Sequence, residues 1–308
     1  MQRPRKLAPG ARIAVVAPAS PFDQPSFDDG VAELRRMGLE PVWDDSVFAR
    51  LGFVAGEPSV RAAAIRQALA DPTIDAVIAV RGGYGSAQVL PLLDPATVAA
   101  ARKPIIGYSD ITALLMFTTI QAGLVSFHGP MLEARLAKGD AGYDRWSFER
   151  ALYHDAPMGV LRAPMLETIV DGEASGMLLG GTVTQLLASL ATPYAFDPPE
   201  GYVLFFDEVG ERPYRLDRMV TQLRQSGLLA RASAIVVGEL PRCDEPSGAF
   251  TGRSTVADAL QDFPGPVVMG FPSGHTDGPQ QTIPFGVRAR VVANARVAQL
   301  IVEEPAVS

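Results

Sequence analysis

Short apolar runs recur along this chain, each closed by a glycine or a polar turn and followed by residues with helical spacing. Ile13–Ala17, Asp75–Val80 and Lys103–Ile106 are such runs in the first half, and Tyr202–Phe206, Ala234–Gly238 and Pro266–Gly270 in the second. Strands that are apolar throughout, rather than alternating, are buried on both faces, and strands that alternate with helices pair in parallel. The pattern predicts an α/β protein. A largely parallel N-terminal sheet with flanking helices is expected, followed by a C-terminal α/β domain with a mixed sheet.

At 308 residues the chain exceeds the usual size of one hydrophobic core. The pattern weakens between Tyr143 and Val170, where Tyr153–Pro157 and Arg162–Pro164 read as connection, so the boundary is placed near residue 165. Domains of 1–165 and 166–308 follow. Helices are expected from near Ser26, with Ser26 and Asp29 resembling a capping box, from Ser59, and from about Pro213. Val287, Ala289 and Val291 alternate with arginines and the chain turns back after Asn294, which predicts a closing hairpin.

In an open parallel sheet, ligand sites gather at the carboxyl ends of the strands. Two strand ends carry suitable residues. The run ending at Val80 continues as Arg81-Gly82-Gly83-Tyr84-Gly85-Ser86, whose glycines allow backbone amides to approach a ligand closely. As a dinucleotide fingerprint this stretch lacks the third glycine, and the chain has no Gly-Lys-Ser/Thr phosphate loop. The run ending at Ile106 continues as Gly107-Tyr108-Ser109-Asp110 before an apolar helical segment. A serine on a tight strand-to-helix turn is held clear of both elements, and amides at the helix start can stabilise an oxyanion. A plain helix cap is the competing reading of Ser109 or Asp110.

A serine hydroxyl needs a base, usually a histidine oriented by a carboxylate. The chain has three histidines. His154 falls in the expected linker, His128 ends a strand, and His275 lies in the loop Pro272–Pro279 directly after a buried strand, where catalytic side chains concentrate. His275 is the expected base. The carboxylate is expected from Asp207-Glu208 at another strand end, and because strand side chains alternate only one of the two should face His275. The residues alone do not choose between them.

A single cysteine, Cys243, and scattered histidines leave no zinc motif and no internal disulfide, so neither a metal nor a cofactor is expected. A net charge of −7 without a Lys/Arg run argues against nucleic acid. No apolar stretch reaches the roughly 20 residues of a membrane helix. Met1–Lys6 is basic and precedes the run Ile13–Ala17, which is read as a core strand rather than a signal peptide, so a cytoplasmic protein with a small substrate is expected.

Arg81–Gly85, Gly107–Thr112, His128-Gly129-Pro130, Gly180-Gly181, Phe206–Arg218 and Gly270–Gly286, taken in order, resemble the L,D-carboxypeptidase family of serine peptidases. That family comprises the murein tetrapeptide carboxypeptidases and the microcin C self-immunity hydrolases. The resemblance implies Ser109 as nucleophile, His275 as base, and the amides of Gly83 and Asp110 as the oxyanion hole. The family's acid is the Glu of a Glu-Asp pair; here the pair is reversed, so the matching position is Asp207, with Glu208 the alternative. Gly181 is followed by Thr182 where relatives often carry Asn. The resemblance further implies release of a terminal D-Ala from murein tetrapeptide during peptidoglycan recycling, with Arg81, Tyr84 and Arg215 candidate substrate contacts, and a cytoplasmic homodimer. The alternatives are an amidase of the microcin C type, for which Phe250 is the one aromatic residue between Gly238 and Ser254, and a non-catalytic binder of small ligands.

Overall fold

The computed structural model describes Met1–Ser308. The chain divides into two compact units, Met1–Ala156 with Gly278–Gly286 and Pro305–Ser308, and Pro157–Asp277 with Val287–Glu304. A single crossing near residue 165 is the expectation from sequence. The chain instead leaves the first unit at Ala156 and returns to it twice, because Gly278–Gly286 contributes an edge strand and Ser308 bonds the amino-terminal segment through Ser308 N–H to Pro4 O, 3.0 Å.

In the first unit the strands run β1 Arg12–Val16, β2 Glu40–Val42, β3 Ala76–Ala79, β4 Ile105–Gly107 and β5 Ser126–His128. The second unit then supplies β6 Gly159–Val160, β7 Glu167–Val170, β8 Gly172–Thr182, β9 Tyr202–Asp207, β10 Ala232–Gly238 and β11 Val267–Phe271. Strand β12, Ile283–Phe285, belongs to the first unit, and β13 Arg288–Ala293 with β14 Ala298–Val302 close the second.

The first sheet has the order β12-β5-β4-β3-β1-β2. All neighbours are parallel except β12, which runs antiparallel to β5 with Ile283 opposite His128. Pro284 in the middle of β12 is tolerated because β12 is an edge strand. Every residue of β3 and β4 is buried, as continuous apolar runs require, and β5 is buried throughout although it carries Ser126 and His128.

The second sheet, ordered β6-β14-β13-β8-β9-β10-β11-β7, is mixed. Strands β8 to β11 are parallel, and β7, β13, β14 and β6 add antiparallel flanks. The hairpin of β13 and β14 forms as its alternation predicts, β13 burying alternate residues against β8.

Helix starts depart from the sequence reading in two places. The first helix, Gln24–Arg36, is capped by Asp23, which accepts from Ser26 N–H at 3.2 Å, so Ser26 is inside the helix and the expected box with Asp29 does not form. Pro25 sets the start, because a proline fits the first turn without losing a needed donor. Likewise Pro58, not a Ser59 cap, opens the helix Pro58–Ala70. The connection expected between Tyr143 and Val170 contains the helix Arg145–Tyr153, capped by Asp144. The helix at Pro213–Gln225 starts where expected. No helix is long and apolar enough to cross a membrane.

Candidate active site

Strand β4 ends at Gly107, and within two residues the backbone takes Ser109 to φ +62° before helical structure resumes. A left-handed conformation in a non-glycine residue costs about 1–2 kcal/mol and persists only where the surroundings impose it. Two contacts impose it here. A Cβ on Gly107 would stand 2.7 Å from the Ile111 side chain, so only glycine lets the strand end and the following turn close up. The Asp110 side chain is pulled beneath the neighbouring loop, where its carboxylate accepts from Ser86 N–H at 2.7 Å while Ser86 Oγ donates to Asp110 O. Burial pushes the Asp110 carboxyl above the usual carboxylate range, against the opposing pull of the Ser86 and Gly85 hydrogen bonds and of Arg61.

Arg81–Ser86, which leaves β3, lies directly over Ser109. A Cβ placed on Gly82 would be 2.9 Å from Ser109 Cβ and 3.2 Å from both Ser109 Oγ and Asp110 N. The absence of a side chain at Gly82 is therefore what lets backbone approach the serine hydroxyl and the Asp110 amide. Buried Arg61 braces the loop from behind, donating to Gly85 O at 2.8 Å, to Gly56 O at 3.0 Å, and to Pro18 O. Gly83 has φ +95°, a conformation that glycine adopts without strain.

The second unit holds the other expected group. His275 Nδ1 lies 2.7 Å from Asp207 Oδ2, and the backbone N–H of His275 donates to that same oxygen at 2.6 Å. Asp207, fully buried at the end of β9, accepts on its other oxygen from Thr182 Oγ1 at 2.9 Å. Thr182 and Asp207 are register partners on adjacent parallel strands, which fixes this bond geometrically. A Cβ on Gly238 would meet Asp207 Cβ at 2.9 Å, so the end of β10 also requires glycine. The His275 loop is tied to β10 by Glu239, which accepts from Thr276 Oγ1 at 2.6 Å and Asp277 N–H at 3.0 Å.

Glu208 points elsewhere. Its carboxylate accepts from Thr184 Oγ1 at 2.6 Å, Thr184 N–H at 3.0 Å and Val209 N–H at 3.0 Å. Burial outweighs these bonds and raises its pKa. Strand alternation separates the two carboxylates as the sequence required, and the structure puts Asp207, not Glu208, against His275.

The other expected residues fall as follows. Arg81 is exposed and ion-pairs with Glu133 at 3.2 Å. Tyr84 is exposed with its ring edge-to-face on Phe53, centroids 5.3 Å apart. Arg215 is exposed, pairs with Glu211 at 3.2 Å and lies over the Tyr214 ring. His154 is exposed, whereas His128 is buried in β5 between the Tyr108 and Phe285 rings. Thr182, Ser20, Arg61 and Glu239 lie in no motif that marks them in the sequence. Only tertiary hydrogen bonds reveal them.

Taken unit by unit, the arrangement is that of an α/β hydrolytic enzyme: a strained serine under a glycine loop, and a histidine held by a buried aspartate. The chain belongs to the LD-carboxypeptidase family and is a hydrolase. Residues 13–129 match the family's N-terminal domain and residues 175–291 its C-terminal domain. A Streptomyces coelicolor protein provisionally named a carboxypeptidase is 38% identical, covering 99% of this chain and 97% of that one. The murein tetrapeptide carboxypeptidase of Pseudomonas aeruginosa is 29% identical over 92% of this chain and 94% of its own. The muramoyltetrapeptide carboxypeptidase structure from Oxalobacter formigenes superposes with TM-score 0.82 at 28% identity, covering 96% of this chain and 99% of that chain. The microcin C7 self-immunity protein MccF in its wild-type apo state shares the fold, with TM-score 0.91 at 22% identity and full coverage of both chains.

Proposed function

We propose that this chain is a serine L,D-carboxypeptidase that releases the terminal D-Ala from murein tetrapeptide, acting in peptidoglycan recycling. Ser109 Oγ attacks the carbonyl joining the L-configured centre of the third residue to D-Ala. His275 takes the serine proton on Nε2, since Nδ1 faces Asp207. The N–H groups of Asp110 and Gly83 receive the developing oxyanion, each donor lowering the barrier by about 3 kcal/mol. As the tetrahedral intermediate collapses, the C–N bond breaks, His275 passes its proton to the departing D-Ala amine, and Ser109 Oγ is left esterified to the tripeptide acyl group. Water, deprotonated by the same imidazole, then frees the enzyme.

The observation that carries this reading is the 2.7 Å contact between His275 Nδ1 and the buried Asp207 carboxylate. A carboxylate there fixes the tautomer and stabilises the imidazolium formed during attack. Relatives named as murein tetrapeptide carboxypeptidases supply the substrate. A cytoplasmic homodimer is part of the proposal and rests on the family resemblance. Amide cleavage on an aminoacyl nucleotide is the neighbouring reading, since the Escherichia coli microcin C7 self-immunity protein is 25% identical over 89% of this chain. The segment Gly238–Ser254 offers an adenine a single aromatic ring, Phe250, which favours the peptidase.

The test is incubation with purified murein tetrapeptide and, separately, an aminoacyl-nucleotide amide, with D-Ala and nucleotide quantified chromatographically. D-Ala from the wild type and none from Ser109→Ala is the expected result. Nucleotide release alone would transfer the assignment to the amidase, and no release of either product would remove catalysis from the proposal.

A further inference from the structure

Strand β1 ends in the loop Pro18-Ala19-Ser20-Pro21, which carries no motif and takes no part in the reaction as described. Its Ser20 nevertheless makes three hydrogen bonds, two of them to the glycine loop over Ser109 and one to the neighbouring Phe53 backbone. Ser20 N–H donates to Gly82 O at 3.1 Å, and Ser20 Oγ accepts from Tyr84 N–H at 3.0 Å. The same hydroxyl donates to Phe53 O at 2.9 Å. Gly82 and Tyr84 flank Gly83, so Ser20 holds the backbone on both sides of the residue whose amide is assigned to the oxyanion. The fit is close: a Cβ on Gly83 would lie 2.5 Å from Ser20 Oγ.

We infer that Ser20 is a positioning residue for the oxyanion hole, acting through the Gly82–Tyr84 backbone; the inference rests on the proposed serine-hydrolase reading. A peptide plane turns about the bonds at its two ends, and an amide aimed at an oxyanion must keep its direction as charge develops. Arg61 fixes the far end of this loop at Gly85, and Ser20 fixes the near end. The hydroxyl is suited to the task because it accepts and donates at once, linking two loops through a single atom. Alanine removes both side-chain bonds and keeps the Ser20 N–H bond to Gly82, so the loop stays in place but Gly83 gains freedom to turn. The exposed pair Phe53 and Tyr84 is attached to the same junction through backbone atoms, so their side chains can be changed without touching the clamp.

The test compares wild type, Ser20→Ala, Phe53→Ala and Ser109→Ala in two assays: D-Ala release from murein tetrapeptide, and covalent labelling by a small fluorophosphonate. Labelling needs the nucleophile and the oxyanion hole and does not depend on peptide binding. For Ser20→Ala, kcat and the labelling rate are expected to fall together by about ten- to a hundredfold, because a catalytic group displaced by an ångström loses of that order. KM should stay within about twofold, and the labelling endpoint should remain one probe per chain, the sign that all molecules are folded and competent but slow. Phe53→Ala keeps the carbonyl acceptor and should label at the wild-type rate. A wild-type labelling rate in Ser20→Ala, or a reduced endpoint with an unchanged rate for the labelled fraction, would overturn the positioning role. Failure of the wild type to label or turn over, or labelling of Ser109→Ala, would instead overturn the serine-hydrolase reading on which it rests.

Discussion

Replacing Gly82 by alanine introduces one methyl group at the closest approach of the glycine loop to Ser109. Gly82 is not among the glycines with positive φ, so alanine is conformationally permitted and the effect is one of contact alone. The added carbon would lie 2.9 Å from Ser109 Cβ. Ordinary carbon–carbon contact is about 3.5–4.0 Å, so the loop and the serine must part by roughly 0.6–1.1 Å. The nearest atoms are the serine side chain and the Asp110 amide, not the end of a flexible side chain, and Arg61 resists retreat of the loop. Overpacking of this kind costs about 1–3 kcal/mol of stability. Its larger effect should be on chemistry, since a shift of ~1 Å between nucleophile and oxyanion donors lowers kcat on the order of a hundredfold, equivalent to about 2.7 kcal/mol of barrier. Steady-state D-Ala release gives kcat, and a thermal unfolding scan separates loss of folded protein from loss of rate. A Gly82→Ala enzyme that folds and keeps kcat within about twofold would refute the argument that this loop presses on the reacting serine.

The acid pair gives two further predictions. Asp207→Asn should lower kcat by about 10⁴-fold, because the amide no longer selects the productive tautomer, while Glu208→Gln should stay within about tenfold of wild type, since its contacts are to Thr184 and Val209; comparable losses in the two would place the acid wrongly. Glu208 also sets a pH dependence. Its folded pKa is raised by burial, so its contribution to stability is fully present below the ordinary Glu pKa of ~4.3 and is lost as pH rises through the folded value. The unfolding midpoint of the wild type relative to Glu208→Gln should therefore decline from pH 4 towards neutrality, and a constant difference would contradict it. Thr182→Val removes the donor on Asp207 Oδ1 with little change in shape. With that hydrogen bond lost, the buried Asp207 carboxylate is held less firmly against His275 and kcat should fall by about tenfold, whereas an unchanged kcat would show that strand register alone positions Asp207.

The sequence carried the central strands of both sheets because buried parallel strands read as unbroken apolar runs, and it carried Ser109 and His275 because each follows such a run, but the short flanking strands β6 and β7 lie in the segment expected to be connection. It misplaced helix starts where a proline in the first turn moved the cap upstream, to Asp23 and Glu57. Strand β12 was invisible: Ile283-Pro284-Phe285 is short and contains a proline, and only its partner β5 makes it a strand. Choosing between Asp207 and Glu208 required knowing which way β9 turns its last side chain, a property of register rather than composition. Thr182, Ser20 and Glu239 act through bonds spanning 25, 33 and 37 residues or more, and no local pattern marks the ends of such contacts.

The central claim is that the peptide is transferred to one hydroxyl before water completes the reaction. Rapid-quench mass spectrometry of the enzyme mixed with murein tetrapeptide, followed by peptide mapping, tests this directly. A transient gain equal to the tripeptide acyl group on the fragment containing Ser109, absent in His275→Ala, is the predicted result. Turnover with no adduct on any residue of a Ser109→Ala enzyme that still releases D-Ala would contradict it.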